Sequence, residues 1–196
     1  SSKNEKRTPK IEDDFTSTPE YVDWIDSRGK IVGRVDKNFA HQHGLLHLAG
    51  HVFVFDSKKR LILQYRSHKK KIYPLHWDTS VGGHIKAGES VLVGTEREKR
   101  EELGIETKIH FLGHADSEDY EKNAKGTFHH HERVYYYYSI LPPHYKIKPN
   151  EEYQKIAFVT LDKLPAFIRK NPFTITFKTG WKKFGKKLIK KINGEK

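Results

Sequence analysis

Residues 83–105 read GHIKAGESVLVGTEREKREELGI, and the spacing within this stretch decides both a local structure and a chemistry. Residues 90–103 contain no proline and one internal glycine, Gly94, and they stop at Gly104. That pattern predicts a helix over 90–103 closed by a glycine. On such a helix Glu98 and Glu101 are i,i+3 and Glu98 and Glu102 are i,i+4, so the three carboxylates share one face. Like charges on one patch repel each other. They become favourable when a hard divalent cation sits among them, and oxygen-only ligation suits Mg2+ or Mn2+. Gly94, one turn before Glu98, leaves room for a ligand on that face. The other stripe, Leu92, Lys99 and Leu103 with Thr95 and Glu96 between them, is expected to face a sheet. There the Lys99 stem covers apolar surface while its ammonium reaches solvent or a carboxylate. Taken alone, EREKREEL reads as a solvated, salt-bridged face. Gly83, Glu89 and the Gly104–Ile105 stop, at their fixed distances, turn the balance toward a functional site.

These positions resemble the Nudix box, G-x5-E-x7-R-E-U-x-E-E-x-G-U with U aliphatic. Gly83, Glu89, Arg97, Glu98, Glu101, Glu102, Gly104 and Ile105 match, and Lys99 stands where an aliphatic residue is usual. The resemblance implies an α/β fold, a single-domain α/β/α sandwich with a mixed sheet. It also implies cleavage of a diphosphate linked to some other group. By the same resemblance, Glu98, Glu101 and Glu102 bind Mg2+ (or Mn2+), with the Gly83 carbonyl as an extra ligand. Arg97 orients a glutamate of the box, Glu89, through an ion pair. The metal neutralises diphosphate oxygens and activates water. The general base is a glutamate of the box or of a later loop, with Glu132, Glu151 and Glu152 as the candidates outside the box.

A narrower resemblance covers about residues 20–105. The segment LLHLAGHVFVFDSKKRLILQYRSHKKKIYPLHWDTSVGGH, residues 45–84, is similar to the type I isopentenyl-diphosphate isomerases and their hydrolase-like relatives. That likeness implies that Arg66 and Lys70 contact a substrate diphosphate, with Pro74 and Trp77 in register behind them. It makes His47 and His84 metal-binding positions, a set that His41 or His43 could complete. The isomerases carry a catalytic cysteine in a W-T-N-S-V-C-G-H stretch. Here Gly82 stands at that position and the chain has no cysteine. Thiol-dependent isomerisation is therefore the disfavoured alternative to hydrolysis. A second alternative, from another class, is a non-catalytic nucleotide- or RNA-binding Nudix module.

With 196 residues, 32% of them charged and 35% hydrophobic, the chain suits one compact domain with an ordinary core. No apolar run approaches a membrane span, and residues 1–10 have no secretory pattern. The absence of cysteine excludes disulfides and fits a cytoplasmic protein. The absence of methionine, with Ser1 first, gives the expectation that the native start is missing. The net charge of +12 reads as surface charge that steers a small phosphorylated substrate, ahead of specific nucleic-acid binding. The sequence sets no oligomeric state.

Residues 1–19 read as a flexible lead-in, and 20–196 as the domain. Residues 21–26 and 31–35 form a predicted hairpin, and 51–56 with 60–66 a strand pair. Residues 107–115 and 130–140 are further strands around an acidic loop at 116–127, and 153–161 is another. Helices are predicted at 162–170 and 181–192. In the last, Trp181, Phe184, Leu188 and Ile192 make an apolar stripe among lysines, expected to dock on the sheet of the same domain. His129-His130-His131 precedes the Tyr135–Tyr138 strand. It reads as a chance run on a strand surface, with a transition-metal site as the sharper alternative.

Overall fold

The computed structural model describes residues 18–147 and 153–195, so Glu151, Glu152 and most of the N-terminal lead-in lie outside the described residues. Strands β1 (Tyr21–Ile25) and β2 (Ile31–Asp36) form an antiparallel hairpin. Asp36 then caps a helix, α1 (Lys37–His43), by accepting from the amides of Asn38 and Phe39, and Gly44 ends it at φ 63. No helix is predicted there from sequence. Seven residues are too few to display a 3.6-residue period, although the acidic start and the glycine stop are both present.

At the centre lies β3 (His47–Phe55). It runs antiparallel to β4 (Arg60–Arg66) and β6 (Val81–His84), and parallel to β8 (Gly126–Ile140). β4 pairs on with β5 (Trp77–Asp78) and β9 (Tyr153–Thr160), and β7 (His110–Asn123) pairs with β8. The sheet is therefore mixed, with nine strands among the described residues. Alternation along β3 sorts its side chains between two cores. Ala49, Phe53 and Phe55 pack with Tyr136 and with Phe177, Phe184 and Leu188 of α4 (Ile175–Asn193), next to Leu164 of α3 (Leu164–Lys170). Val52 and Val54 pack on the opposite face with Val81, Ile105 and Leu103 of α2 (Val91–Leu103). Helices cover both faces, which makes an α/β/α sandwich. Each fully buried Leu or Phe contributes about 1.5–3 kcal/mol. No described helix is long and apolar enough to cross a membrane.

Three expectations need correction. The predicted loop at 116–127 is the tip half of a long hairpin, with the register continuous from Asp116–Arg133 to Asn123–Gly126. Its strands carry polar residues on both faces, which removes the hydrophobic alternation that marks a strand. Helix α4 starts at Ile175, earlier than predicted, where the Thr174 hydroxyl accepts from the Phe177 amide. Its β-branched first turn reads as strand from propensity, and tertiary packing overrides that. The stripe of α2 is also rotated. Leu92 is 52% exposed, while Thr95, Lys99, Glu102 and Leu103 face inward. Lys99 is buried, with its ammonium on the Thr107 carbonyl at 2.6 Å and on Glu96 at 2.5 Å. Its polar end is satisfied inside the protein, which allows a lysine at an apolar position.

Candidate functional site

The amide of Val93 finds the Ser90 hydroxyl at the start of α2, and Gly104 ends the helix in the left-handed region at φ 64. Two close approaches fix how this helix lies on the sheet. A Cβ on Gly50 of β3 would come within 1.9 Å of the Thr95 hydroxyl. A Cβ on Gly83 of β6 would come within 2.3 Å of the Glu98 carboxyl carbon. Both glycines therefore admit the helix close to the strands.

Arg97 organises the exposed end of the cluster. It donates twice to Glu89, at 2.9 and 3.0 Å, and also to Glu98 at 2.8 Å, to Glu101 at 3.2 Å and to the His84 carbonyl at 3.2 Å. The hydrogen bonds from Arg97 hold Glu89 below the ordinary glutamate range. Burial pushes Glu98 up, against the pull of Arg97. Glu101 is 57% exposed at its side chain. Glu102 is buried and turns away, accepting from Gln64 Nε2 at 2.5 Å and from the Gly82 amide at 3.2 Å. The three box carboxylates share a helix face but are split between these two sets of partners. Like charges separate in this way when positive or N–H groups are within reach of each.

One residue along β6 the chemistry changes. His84 Nε2 lies 2.9 Å from both His41 Nε2 and Glu132 Oε1, and His47 Nε2 lies 3.6 Å from the same carboxylate oxygen. The ligand atoms of His41, His47, His84 and Glu132 all fall within 4.8 Å of one another. Four elements supply them: α1, β3, β6 and β8. His47 Nδ1 donates to the Leu45 carbonyl at 2.7 Å, so its Nε2 carries the lone pair. That Nε2 is buried without a hydrogen-bond partner, as is His41 Nδ1. Burial drives His84 down to about 4 and His41 down to about 2. Burial alone would raise Glu132, but His130, His47 and His84 outweigh it and hold the carboxyl well below the ordinary range. Neutral imidazoles around an ionised carboxylate are the protonation states that metal binding requires. An orphaned buried lone pair in that setting fits a divalent cation. The choice left open from sequence falls to His41, because His43 is outside the group and bonds to the Phe39 carbonyl instead.

His41, His84 and Glu132 line a pocket with Gly82, Gly83, His51, His130, Arg66 and Asp78. Arg66 is fixed by the Tyr73 and Ile72 carbonyls at 3.1 and 2.8 Å and faces Asp78 at 3.5 Å. Lys70 stands in the 67–76 loop outside this lining; its carbonyl accepts from Lys125 Nζ. Sequence reasoning passed over His51. A Cβ on Gly82 would lie 2.3–2.8 Å from the His51 ring, so that ring fills the space a side chain at position 82 would take. The Thr79 hydroxyl donates to the Val81 carbonyl, so His51 Nδ1 donates to Thr79 at 2.6 Å. Its Nε2 then keeps a lone pair. The available signal was a histidine at an inward position of an otherwise apolar strand.

Comparison with known proteins identifies the family and the fold. A family model described as the NUDIX domain matches residues 45–177. An isopentenyl-diphosphate Delta-isomerase of Streptomyces avermitilis is 30% identical over 165 residues, covering 81% of this chain and 80% of that protein. An uncharacterized Nudix hydrolase of Pseudomonas aeruginosa is 31% identical over 93 residues, covering 47% of this chain and 55% of that protein. The chain spans about half the length of that relative and of several similar isomerases. A crystal structure from Deinococcus radiodurans superposes with a TM-score of 0.62 at 20% identity, covering 82% of this chain and 96% of that one, a likeness of fold.

Proposed function

The chain belongs to the Nudix family, and on that premise we propose that it is a metal-dependent diphosphohydrolase acting on a nucleoside diphosphate derivative or a similar small organic diphosphate. The observation that carries this reading is the adjacency of Gly83 and His84. Gly83 seats the Glu98 carboxylate, and the next residue enters the four-ligand group. Glu98, Glu101 and Glu102, with the Gly83 carbonyl, would hold Mg2+ or Mn2+, since their donors are all oxygen. His41, His47, His84 and Glu132 offer three nitrogens and one oxygen, a set better matched to Mn2+ or Zn2+. Bound divalent cations supply charge neutralisation of the diphosphate and a lowered pKa for water. Arg66 would present its guanidinium to phosphate oxygens in the pocket, and Lys70 its ammonium from the neighbouring loop. Arg97 holds Glu89, Glu98 and Glu101 in place through its ion pairs. Glu132 serves as a ligand, so the general base is a box glutamate or one of the remaining candidates outside the box, Glu151 and Glu152.

The space filled by His51 beside Gly82 supports hydrolysis over thiol-dependent isomerisation, since a cysteine at position 82 would collide with that ring. A phosphate-release screen over nucleotide and isoprenoid diphosphates, with Mg2+ or Mn2+, tests the proposal. We expect turnover on at least one diphosphate, lost in Glu102→Gln with folding retained. Salt-dependent RNA binding with no phosphate release from any substrate would sink it in favour of a binding module.

A further inference from the structure

The triple His129-His130-His131 is divided by the alternation of β8. His130 and Glu132 point into the pocket. His129 and His131 therefore project from the other face of the strand. On that face Glu118 of β7 is the register partner of His131, and Tyr120 is the partner of His129. The ligand atoms of Glu118, His129 and His131 lie within 4.8 Å of one another. We propose that these three residues form a second, separate metal site, selective for a transition-metal dication such as Zn2+.

Three features distinguish the group from an ordinary surface ion pair. The His129–Glu118 contact at 2.7 Å would by itself be one, but His131 adds a third donor whose ring is already fixed. Its Nδ1 donates to the Gly44 carbonyl at 2.9 Å, so Nε2 carries the free lone pair. A backbone carbonyl behind a ligating imidazole is the usual outer-shell partner of a metal site. The His129 ring is held as well. It stacks on Tyr120 at 4.0 Å between centroids and lies nearly parallel to His131, at 4° and 5.9 Å. Gly44 makes that packing feasible twice over. Its φ of 63 ends α1, and a Cβ there would fall 1.8 Å from His129 Nδ1. Arg133, the neighbouring cation on β8, is taken up by Asp116 and the Ser27 carbonyl, which leaves Glu118 to the histidines. Two imidazoles and one carboxylate on an open face give three protein ligands with a fourth position toward solvent. That donor set favours Zn2+ over Mg2+. The ion would tie the C-terminal end of α1 to the β7–β8 hairpin, and so brace the strand whose other face carries Glu132.

The test is Zn2+ and Co2+ titration of the full, chelator-stripped chain in excess Mg2+. Calorimetry gives the stoichiometry, and the visible Co2+ spectrum reports coordination. Two equivalents are expected for the unaltered protein. His131→Gln and, independently, Glu118→Gln should each weaken one of them by about 10²-fold or more while the other persists. His47→Gln should remove the pocket equivalent and leave this one. Glu118 is exposed, so its variant keeps the test valid should the histidine variant unfold. Two undiminished equivalents in both Glu118→Gln and the double variant His129→Gln/His131→Gln would overturn the proposal, as would a His47→Gln protein that binds no Zn2+.

Discussion

The two faces of β6 solve the same electrostatic problem in opposite ways. On the α2 face, the carboxylates are compensated from within the protein. Arg97 spans Glu89, Glu98 and Glu101, while Gln64 and the Gly82 amide receive Glu102. On the other face, one carboxylate held well below its ordinary range is enclosed by His41, His84 and His130, whose protonation burial disfavours, and a buried nitrogen on His47 has no hydrogen-bond partner. The first region is stable as it stands and must give up contacts to accept a cation. The second has buried nitrogens on His41 and His47 that a cation would not have to strip of any hydrogen bond. An unsatisfied buried polar atom costs about 1–3 kcal/mol, so the pocket face should bind metal more tightly and be the more stabilised by it.

The largest expected effect sets the two faces against each other. Glu102→Gln on one side and Glu132→Gln on the other should each lower turnover by about 10²–10³-fold. The double variant should fall far short of the product of the two, because groups acting on one reaction are not additive. Steady-state phosphate release measures all three. A full multiplicative loss, or no loss in one single variant, would break the picture of one site with two metal-binding faces. Thermal shifts on adding Mn2+ add a second readout. They should be retained in Glu102→Gln and largely lost in Glu132→Gln.

How legible each face was in sequence follows from how each is built. The α2 face is contiguous: its carboxylates, Arg97 and its glycine stop lie between Glu89 and Gly104, in α2 and its two flanks, so fixed spacing exposes them. The pocket face gathers His41, His47, His84 and Glu132 from four separate elements. Periodicity could not assemble these. Only family resemblance pointed to His47 and His84, and it left His41 and His43 undivided. The short α1 that decides between them was itself missed. The layered fold was legible from the strand pairs and the apolar stripe of α4. The long β7–β8 hairpin was not, since its outer half carries polar residues on both sides.

A smaller effect separates the two glycines that lie beneath α2. Gly50→Ala pushes a methyl against Thr95, whose Cβ as well as its hydroxyl is in the way. Thr95 is short, branched and buried, and it cannot withdraw. A loss of about 1–3 kcal/mol is expected, seen as a fall in Tm of roughly 2–4 °C per kcal/mol for a chain of this size. Gly83→Ala meets the far end of the Glu98 side chain instead. That carboxylate can move, so Tm should change less and turnover more. Equal Tm losses with equal turnover would show that α2 is seated in some other way.

The smallest effect, and the finest test of the comparison, is the pH window in which each face loses stability when metal is stripped away. Burial depresses His84 from 6.5 to about 4. Above about 6.5 the imidazole is neutral in both the folded and unfolded chains, so it carries no pH dependence there. As pH falls from about 6.5 toward 4, the unfolded chain gains a proton that the folded chain refuses, and stability declines. Glu89, lowered chiefly by its hydrogen bonds with Arg97, behaves differently. Its contribution is intact above the ordinary glutamate value of 4.5 and is lost only as pH falls below it through the folded pKa. His84→Gln should therefore flatten the Tm–pH curve of the stripped protein between about pH 6.5 and 4, and Glu89→Gln should flatten it only in the more acidic range. Restoring Mn2+ should extend the first of these slopes below about pH 4 and leave the second unchanged, because the ion would hold only the pocket histidines deprotonated in the folded chain while the unfolded chain still takes up its protons. If both variants flattened the same window, the two faces of β6 would share one titrating network and the contrast between them would fail.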